Sequence, residues 1–229
     1  MQAVSRADWS NAAFPWLSVR ECFVGIAPAT VMAVSFSGEW AYEIHVPSAS
    51  LYAAYTALRD AGASHGFKLF GALAVESMRL EKGYLHWKTD ILTEFDPFEA
   101  GLQRFVKIDK PAFVDQAALA KRAGRGPRKK LVTLTLHAKD APAHGGASAM
   151  DGSGIVGTVT SAGWGHRTNQ NISYAFVDPD CAQPGQPLSV DVLGSPVAAR
   201  VVKRGFYDPE MAQVSCCPNM RRIADFQAT

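Results

Sequence analysis

Cysteine is scarce in this sequence, and its spacing suits neither a disulfide framework nor a zinc site. Of the 4 cysteines, Cys216 and Cys217 are adjacent, Cys22 and Cys181 lie far apart, and no C-x-x-C occurs. Disulfide-rich secreted domains and zinc modules both depend on closely spaced cysteine pairs. We therefore expect a soluble protein of a reducing compartment, the cytoplasm.

Long apolar runs and an excess of one charge are missing as well. No run approaches the length of a membrane-spanning helix, and the start MQAVSRADWSN lacks the apolar core of a signal peptide. The formal net charge is +2, which gives no electrostatic reason to invoke a polyanion. The sequence predicts neither a membrane nor a nucleic acid as a partner.

Motifs for metal, phosphate or nucleophilic chemistry are also lacking. The 6 histidines have no metal-type spacing with a nearby carboxylate, and neither a P-loop nor a G-x-S-x-G elbow occurs. Residues 152–157, GSGIVG, satisfy G-x-G-x-x-G, but they open a strand pattern instead of a helix, so we predict a hairpin turn. His86 and His166 lie in glycine-containing segments beside aromatics, as in binding loops, although a surface or structural role is the commoner one.

The first half of the sequence carries strand and helix patterns together. ATVMAVSFSG, residues 29–38, alternates as a strand does, and WAYEIHVP, residues 40–47, is predicted to be its hairpin partner. Helices are predicted to end at Gly62 and at Gly83, the second with Leu73, Met78 and Leu80 as buried contacts. This order indicates an α+β lobe.

A basic Gly/Pro stretch near Gly126 separates this lobe from a region of short strands. Regular turns rich in Gly, Pro and Asp are typical of a small antiparallel barrel or sandwich. We predict an α+β protein with an antiparallel sheet and packed helices in residues 1–126. A C-terminal antiparallel β-barrel domain is predicted in residues 127–229.

Two pairs of charged residues leave alternatives open. Glu39 and Glu43 lie in a strand-like run, Glu39 directly after Gly38, so they are either solvated acids of a hairpin corner or, for Glu39, a ligand contact. Glu76 and Arg79 are three residues apart on a predicted helix, where they suit a surface pair. The alternative is an inward Arg79 that binds an anionic group bidentately.

Several motifs in a fixed order resemble one family over nearly the whole chain. The motifs are DWSNAAFPWLSVRE, SFSGEWAYEIHVP, ESMRLEKGYLHWKTDI, DPFEAGL, GTVTSAGWGHRT and ARVVKRGFYDPE. They are similar to the folate-binding region shared by the glycine-cleavage T-protein family and the C-terminal parts of dimethylglycine and sarcosine dehydrogenases. RLEKGYLHW and GWGHRT favour the dehydrogenase branch, and FPWLSVRE and FYDPE resemble the large subunit of heteromeric sarcosine oxidase.

The resemblance implies tetrahydrofolate as cofactor and assigns it candidate contacts. Glu39 matches the glutamate that the family presents to the pterin, whose edge offers adjacent N–H donors to a carboxylate. Trp40 and Tyr42 flank that corner. Arg79 matches the arginine of the family's R-L-E-x-G segment, so it is expected to face the folate pocket near Glu39, with Glu76 facing away. In the same segment Glu81 is expected to be a structural partner and Tyr84 an aromatic contact, with core packing as its alternative.

The resemblance also implies what this sequence does not supply. By this resemblance, the family's catalytic aspartate belongs to an N-terminal half that precedes this sequence. No flavin-binding segment is present, so we assign no catalytic residue and no metal ligand. Partners would be a flavoprotein domain, the missing half, or a second copy in a homo-oligomer. Apolar residues such as Phe14, Trp16 and Phe36 are then expected to be exposed.

The predicted function is the tetrahydrofolate-binding part of a one-carbon, aminomethyl or methylene, transferase, inactive alone. Two alternatives stay open. One is a non-catalytic folate-binding or assembly subunit, although EKGYLHWKTDI lacks the cysteine of the K-G-C-Y-x-G-Q-E loop found in the iron–sulfur-assembly relative. The other is part of a folate-dependent demethylase that acts on a methyl ether or sulfonium compound.

Overall fold

The computed structural model describes residues 1–138, 141–152 and 154–215. The chain packs into two compact units, one formed by residues 1–75 with the described residues from 208 onward, the other by Glu76–Tyr207. The adjacent pair Cys216 and Cys217 lies outside the described residues. The predicted boundary near Gly126 stays a prediction.

The first unit is built on a three-stranded antiparallel sheet in the order β1-β2-β3. Its strands are β1 (Val19–Val24), β2 (Ala27–Met32) and β3 (Glu43–His45). The predicted hairpin is confirmed, because Val31 of β2 pairs with Ile44 of β3. Strand β1 was not predicted, since VRECFV interrupts its apolar residues with charged ones.

The core of this unit forms on one face of the sheet. Strand β2 alternates buried and exposed residues, and its buried residues pack with Trp9, Phe14 and Val24. Helix α1 (Leu51–Gly62) contributes Ala54 to the same core and ends at Gly62 as predicted. Phe14 is 1% exposed, so the expectation that it forms an open apolar surface is wrong; Trp16 and Phe36 are half-buried.

Helix α2 (Ala72–Lys82) ends at Gly83, as its sequence predicts. Gly83 has φ +87° and donates its N–H to the Arg79 carbonyl at 3.0 Å, a helix termination that glycine favours. The buried residues of α2 are confined to its last four positions, which include Leu80. Leu73 is 87% exposed, so its predicted burial is wrong.

The second unit contains a closed antiparallel barrel in the order β4-β7-β6-β5-β8-β9, preceded by helix α3 (Gln116–Arg125). The predicted α+β class with a C-terminal barrel is confirmed. The barrel strands are β4 (Lys130–Leu136), β5 (Ser148–Asp151), β6 (Gly154–Gly165), β7 (Gln170–Val177), β8 (Pro187–Val192) and β9 (Ser195–Val202). Asp151 of β5 pairs with Gly154 of β6, so GSGIVG begins at a hairpin connection and continues as a strand, as predicted. A short helix, α4 (Ala212–Ser215), follows the barrel in sequence.

Strand β7 is buried on both faces, which explains the run YAFV at its end, residues 174–177. Ala175 and Val177 face the barrel core. On the opposite face Ile172 and Tyr174 pack against Leu80 of α2. The segment that begins with the second half of α2 therefore covers the outside of the barrel.

Among the described residues, no helix combines the length and the apolar character that crossing a membrane requires.

Candidate functional site

The Gly38–Glu39 corner lies in the ten-residue loop between β2 and β3. Gly38 is buried with φ +83°, a conformation that glycine adopts without strain. The hydroxyls of Ser35 and Ser37 accept the N–H groups of Gly38 at 2.9 Å and of Glu39 at 3.3 Å. Side-chain hydroxyls thus satisfy the turn locally and hold the half-buried Glu39 in place.

An aromatic cluster supports this corner. The Trp40 indole N–H donates to the Tyr42 hydroxyl at 2.8 Å, and the two rings meet edge to face at 5.9 Å. The Tyr42 ring stacks on Phe14 at 5.6 Å and meets the edge of Trp9 at 5.2 Å. Tyr42 therefore joins the corner to the core of the first unit.

The two acids of this segment differ in their surroundings. Glu43 opens β3 with an exposed side chain, and its Oε2 lies 3.4 Å from Nε2 of the exposed His45. Glu39 belongs to the loop and is half-buried. The difference makes Glu43 a natural control for any role of Glu39.

Arg79 is fully buried in the second unit, where protein groups surround its guanidinium. Its Nη1 donates to Asp90 Oδ2 at 2.7 Å and to the Tyr84 carbonyl at 3.1 Å. Its Nε donates to Glu76 Oε2 at 2.8 Å, and Nη2 lies 2.8 Å from the same oxygen without hydrogen-bond geometry. The expectation that Glu76 faces away is wrong, because the helical spacing that permits a surface pair also permits this partly buried one.

Asp90 is the buried counter-charge that sequence reasoning missed. Its carboxylate also accepts the Thr160 and Ser161 hydroxyls and the His86 N–H, the last at 2.9 Å. Such full pairing is what a buried ion pair requires. The sequence shows only that Asp90 is an acid in the segment KTDI. Because this segment is a loop, no periodic pattern of apolar residues indicates that Asp90 is buried.

Tyr174 closes the other side of this network. The Arg79 guanidinium carbon lies 5.7 Å from the Tyr174 ring centroid, and the Tyr174 hydroxyl donates to the Leu80 carbonyl at 2.8 Å. Burial raises the pKa of Tyr174 above its usual value. The hydroxyl therefore stays a proton donor to the end of α2.

Glu81 binds the GWGHRT segment, which confirms its predicted structural role. Glu81 Oε1 accepts the N–H groups of Arg167 at 2.7 Å and Thr168 at 2.8 Å, and Oε2 accepts Arg167 Nε at 2.6 Å. The Arg167 guanidinium lies over the Tyr207 ring at 3.8 Å. His166, beside this pair, is exposed.

The histidine and tyrosine between Arg79 and Asp90 are held mainly through their backbone. His86 donates its N–H to Asp90, while its half-exposed ring has Nδ1 3.6 Å from Glu76 Oε1. Tyr84 is half-buried and offers its carbonyl to Arg79. The Lys82 ammonium lies 6.0 Å from the centroid of the Tyr84 ring.

The predicted site residues thus fall into two groups. Glu39, Trp40 and Tyr42 lie together in the first unit, and Arg79 and Tyr84 lie together in the second. The first group presents a half-buried carboxylate beside aromatic rings. In the second, charged side chains are bound to one another. Over the described residues, no three His, Cys, Asp or Glu side chains are grouped to hold a metal ion.

Two family models match the chain in succession. Residues 1–110 match the GCVT N-terminal domain, and residues 129–208 match the glycine cleavage T-protein C-terminal barrel domain. The first match contains the three-stranded sheet and α2, and the second contains the barrel.

Curated relatives agree with these matches. Human mitochondrial dimethylglycine dehydrogenase is 30% identical over 89% of this chain and 24% of its own length. Mouse mitochondrial sarcosine dehydrogenase is 34% identical over 93% of this chain and 24% of its own length. The aminomethyltransferase of Saccharopolyspora erythraea is 37% identical over 80% of this chain and 50% of its own length. The chain therefore spans half or less of the length of these relatives.

A solved structure has the same architecture. Aminomethyltransferase T of the glycine cleavage system from Bartonella henselae superimposes with a TM-score of 0.72 at 25% identity, covering 79% of this chain and 50% of that one. Because successive parts of the chain match the N-terminal domain and the C-terminal barrel domain of the T-protein, the chain belongs to the glycine cleavage T-protein family.

Proposed function

We propose that this chain is the tetrahydrofolate-binding part of a one-carbon transferase of the aminomethyltransferase or dimethylglycine and sarcosine dehydrogenase type. The observation that carries the proposal is the half-buried carboxylate of Glu39, held on a left-handed glycine corner beside aromatic rings. The names and identities of the relatives support the transferase and dehydrogenase assignment.

The residues of the corner fit a reduced pterin chemically. A pterin edge carries adjacent N–H donors, which the two oxygens of Glu39 can accept in parallel. Trp40 and Tyr42 offer ring surface for a flat heterocycle, and their mutual hydrogen bond keeps them in place without the cofactor. When bound, tetrahydrofolate supplies the nitrogen that receives the one-carbon unit.

The role of this chain's own residues is to bind and orient. The carboxylate of Glu39 offers two acceptor oxygens, so it selects a ligand edge that donates hydrogen bonds and rejects one that accepts them. The serine-closed turn around Gly38 holds the backbone from which Glu39 extends before binding, which lowers the entropic cost of ordering this corner around the ligand. Arg79 and Tyr84 stay predicted contacts.

Calorimetric titration of the chain with tetrahydrofolate tests this proposal. Glu39→Gln keeps the shape of the side chain but replaces one acceptor oxygen with a donor, so it should weaken binding about 10-fold to 100-fold, the value of a charge-assisted hydrogen bond. Glu43→Gln, four residues away and exposed, is the matched control and should bind as the wild type does. Equal binding by the wild type and both variants would refute the role of Glu39.

We further propose that the chain works with a flavoprotein domain and that it is cytoplasmic. Matches that leave about three quarters of the dehydrogenase relatives uncovered motivate the first statement. Sedimentation velocity of the chain alone and mixed with a candidate flavoprotein tests the partnership. If the mixture shows no sedimentation boundary that contains both proteins, the partnership is contradicted. The location is tested by fractionating cells, because the dehydrogenase relatives are named as mitochondrial.

A further inference from the structure

A cavity of about 560 Å³ lies within the second unit, apart from every residue assigned to the folate proposal. Its walls come from Lys88, Thr89, Leu92 and Phe95, from the glycine pair at positions 145–146, and from β6 and β7. This volume is within the range of small-molecule sites in proteins.

One wall of the cavity is aromatic. The rings of Phe95 and Phe176 are stacked with centroids 3.6 Å apart and planes inclined by 13°. Phe176 is 2% exposed, and Leu92 beside Phe95 is half-buried. Such a wall favours a flat apolar ligand that continues the ring stack.

Glycines keep another part of the wall free of side chains. A Cβ on Gly157 would lie 2.2 Å from the Phe176 carbonyl oxygen, and one on Gly145 would lie 2.9 Å from the Thr160 carbonyl oxygen. Both distances are shorter than real Cβ atoms allow, so these positions cannot carry a side chain without moving backbone. The two glycines therefore allow backbone segments to pack closely at this part of the wall.

The charge at the rim is positive. Lys129 is neutralised by Asp178, whose Oδ1 lies 2.7 Å from its Nζ, and it also donates to the Val156 carbonyl. Lys88 is exposed in a left-handed turn with φ +66°, and in the part of the chain that the structure describes no carboxylate pairs with it. One unmatched ammonium beside an apolar wall favours a single negative charge on the ligand.

We propose that this cavity binds a planar aromatic carboxylate, with its ring against Phe95 and its carboxylate toward Lys88. A monoanion fits better than a phosphate ester, because phosphate sites are built from arginine forks or converging backbone N–H groups. Thr160 lines the cavity, and its hydroxyl donates to Asp90. A ligand here would therefore lie next to a residue of the network that holds Arg79.

The test is a titration of the full chain with 2-naphthoate and with neutral 2-naphthamide, followed by calorimetry and by backbone amide chemical shifts. Both probes should bind saturably and shift residues 88–95, with 2-naphthoate about threefold to fivefold tighter, the strength of one partly exposed ion pair. Lys88→Gln should abolish that preference while leaving 2-naphthamide binding unchanged. Lys107→Gln, an exposed lysine outside the cavity, is the matched control.

A second variant tests the location of the site through shape. Thr158 is exposed and lines the cavity, so Thr158→Trp should fill the space and remove binding of both probes, with unfolding by urea confirming that the variant is folded. Glu39→Gln should bind both probes as the wild type does, which separates this site from the folate proposal. Lack of saturable binding, an unchanged preference in Lys88→Gln, or binding retained by folded Thr158→Trp would each overturn the proposal.

Discussion

A guanidinium without access to water is stable only when acceptors match its charge, and Arg79 meets that condition with Glu76, Asp90 and one carbonyl oxygen. The planar fork of arginine reaches acceptors in different directions at once, which a lysine ammonium on a flexible chain does not reproduce. Asp90 depends on the same contact, since it is as deeply buried as Arg79.

Arg79→Lys should therefore lower the free energy of unfolding by about 3–5 kcal/mol, the range for broken buried ion pairs. Urea denaturation followed by circular dichroism measures the loss. Arg125→Lys, at the exposed end of α3, is the matched control and should change stability by less than about 0.5 kcal/mol. Equal effects of the two substitutions would mean that the Arg79 network contributes nothing beyond its charge.

Glu99 carries a second buried charge, and its environment makes stability depend on pH. Burial raises its pKa, but hydrogen bonds from the Arg128 side chain, from the Asp96 and Arg128 backbones, and the Arg128 charge outweigh burial and lower the pKa from 4.5 to about 2. A folded-state pKa below the unfolded value means that ionised Glu99 stabilises the fold above pH 4.5. That contribution is lost as the pH falls from 4.5 toward 2.

Glu99→Gln should consequently destabilise the protein at pH 7, and the difference from the wild type should shrink as the pH falls between 4.5 and 2. Unfolding by urea at a series of pH values measures this difference. Glu94→Gln, at an exposed position, should show no such dependence. A constant difference between wild type and Glu99→Gln over the whole range would contradict the assignment of this pKa to the Arg128 contact.

At these positions the sequence could indicate the partners on one helix but not those across the fold. The spacing of Glu76 and Arg79 correctly made an ion pair possible, because three residues bring side chains together on a helix. The spacing carried no information on Asp90, which binds Arg79 from the loop after α2. It also gave no sign of Thr160 and Ser161, which bind Asp90 only when the barrel is folded. The Glu39 corner was visible because Gly-Glu interrupts a strand pattern.

On the scale of elements, β6 lies so close to β7 at Gly157 that a side chain has no room there. A Cβ there would lie 2.2 Å from the Phe176 carbonyl oxygen and 2.8 Å from a Val177 methyl group. Neither neighbour can withdraw easily, because one is strand backbone and the other packs in the barrel core.

Gly157→Ala should thus destabilise the barrel by several kcal/mol, because a severe steric clash in a packed core has about this cost. Thermal unfolding measures the loss. Gly124→Ala gives the opposite expectation, since Gly124 lies in α3 with no atom within 4 Å of its Cβ position. It should stabilise the protein by up to about 1 kcal/mol through helix propensity. A tolerated Gly157→Ala would show that the strands can separate at this point.

Elements with strong local signals could be predicted, and elements that depend on neighbours could not. Strand β5, SAMD, lacks the β-branched and aromatic residues that mark strands, and it forms because β6 and β8 pair with it on both sides. Leu73 and Leu80 both suit the apolar stripe of α2, yet only Leu80 lies against the barrel, because β7 covers one end of that helix. Periodicity reveals an apolar face but not how far along the helix it is covered.

On the scale of the whole molecule, the barrel depends on the segment that precedes it. The outer face of β7 packs against Leu80 and Phe95. Three buried acids of this segment, Glu81, Asp90 and Glu99, take their partners from barrel residues or from the residues that lead into it. All of these contacts lie inside the unit Glu76–Tyr207.

Two fragments test whether the barrel needs the preceding segment or folds alone from the boundary predicted near Gly126. Residues 76–207 keep the contacts of the second unit, so this fragment should unfold cooperatively in urea with a well-dispersed amide spectrum. Residues 127–207 keep the barrel strands but expose Ile172, Tyr174 and Phe176, which would remove about 1.5–3 kcal/mol of burial energy for each large side chain. We expect this shorter fragment to lack a cooperative transition. If residues 127–207 unfold as cooperatively as residues 76–207 and at the same urea concentration, the barrel is an independent domain and its covering segment contributes no stability to it.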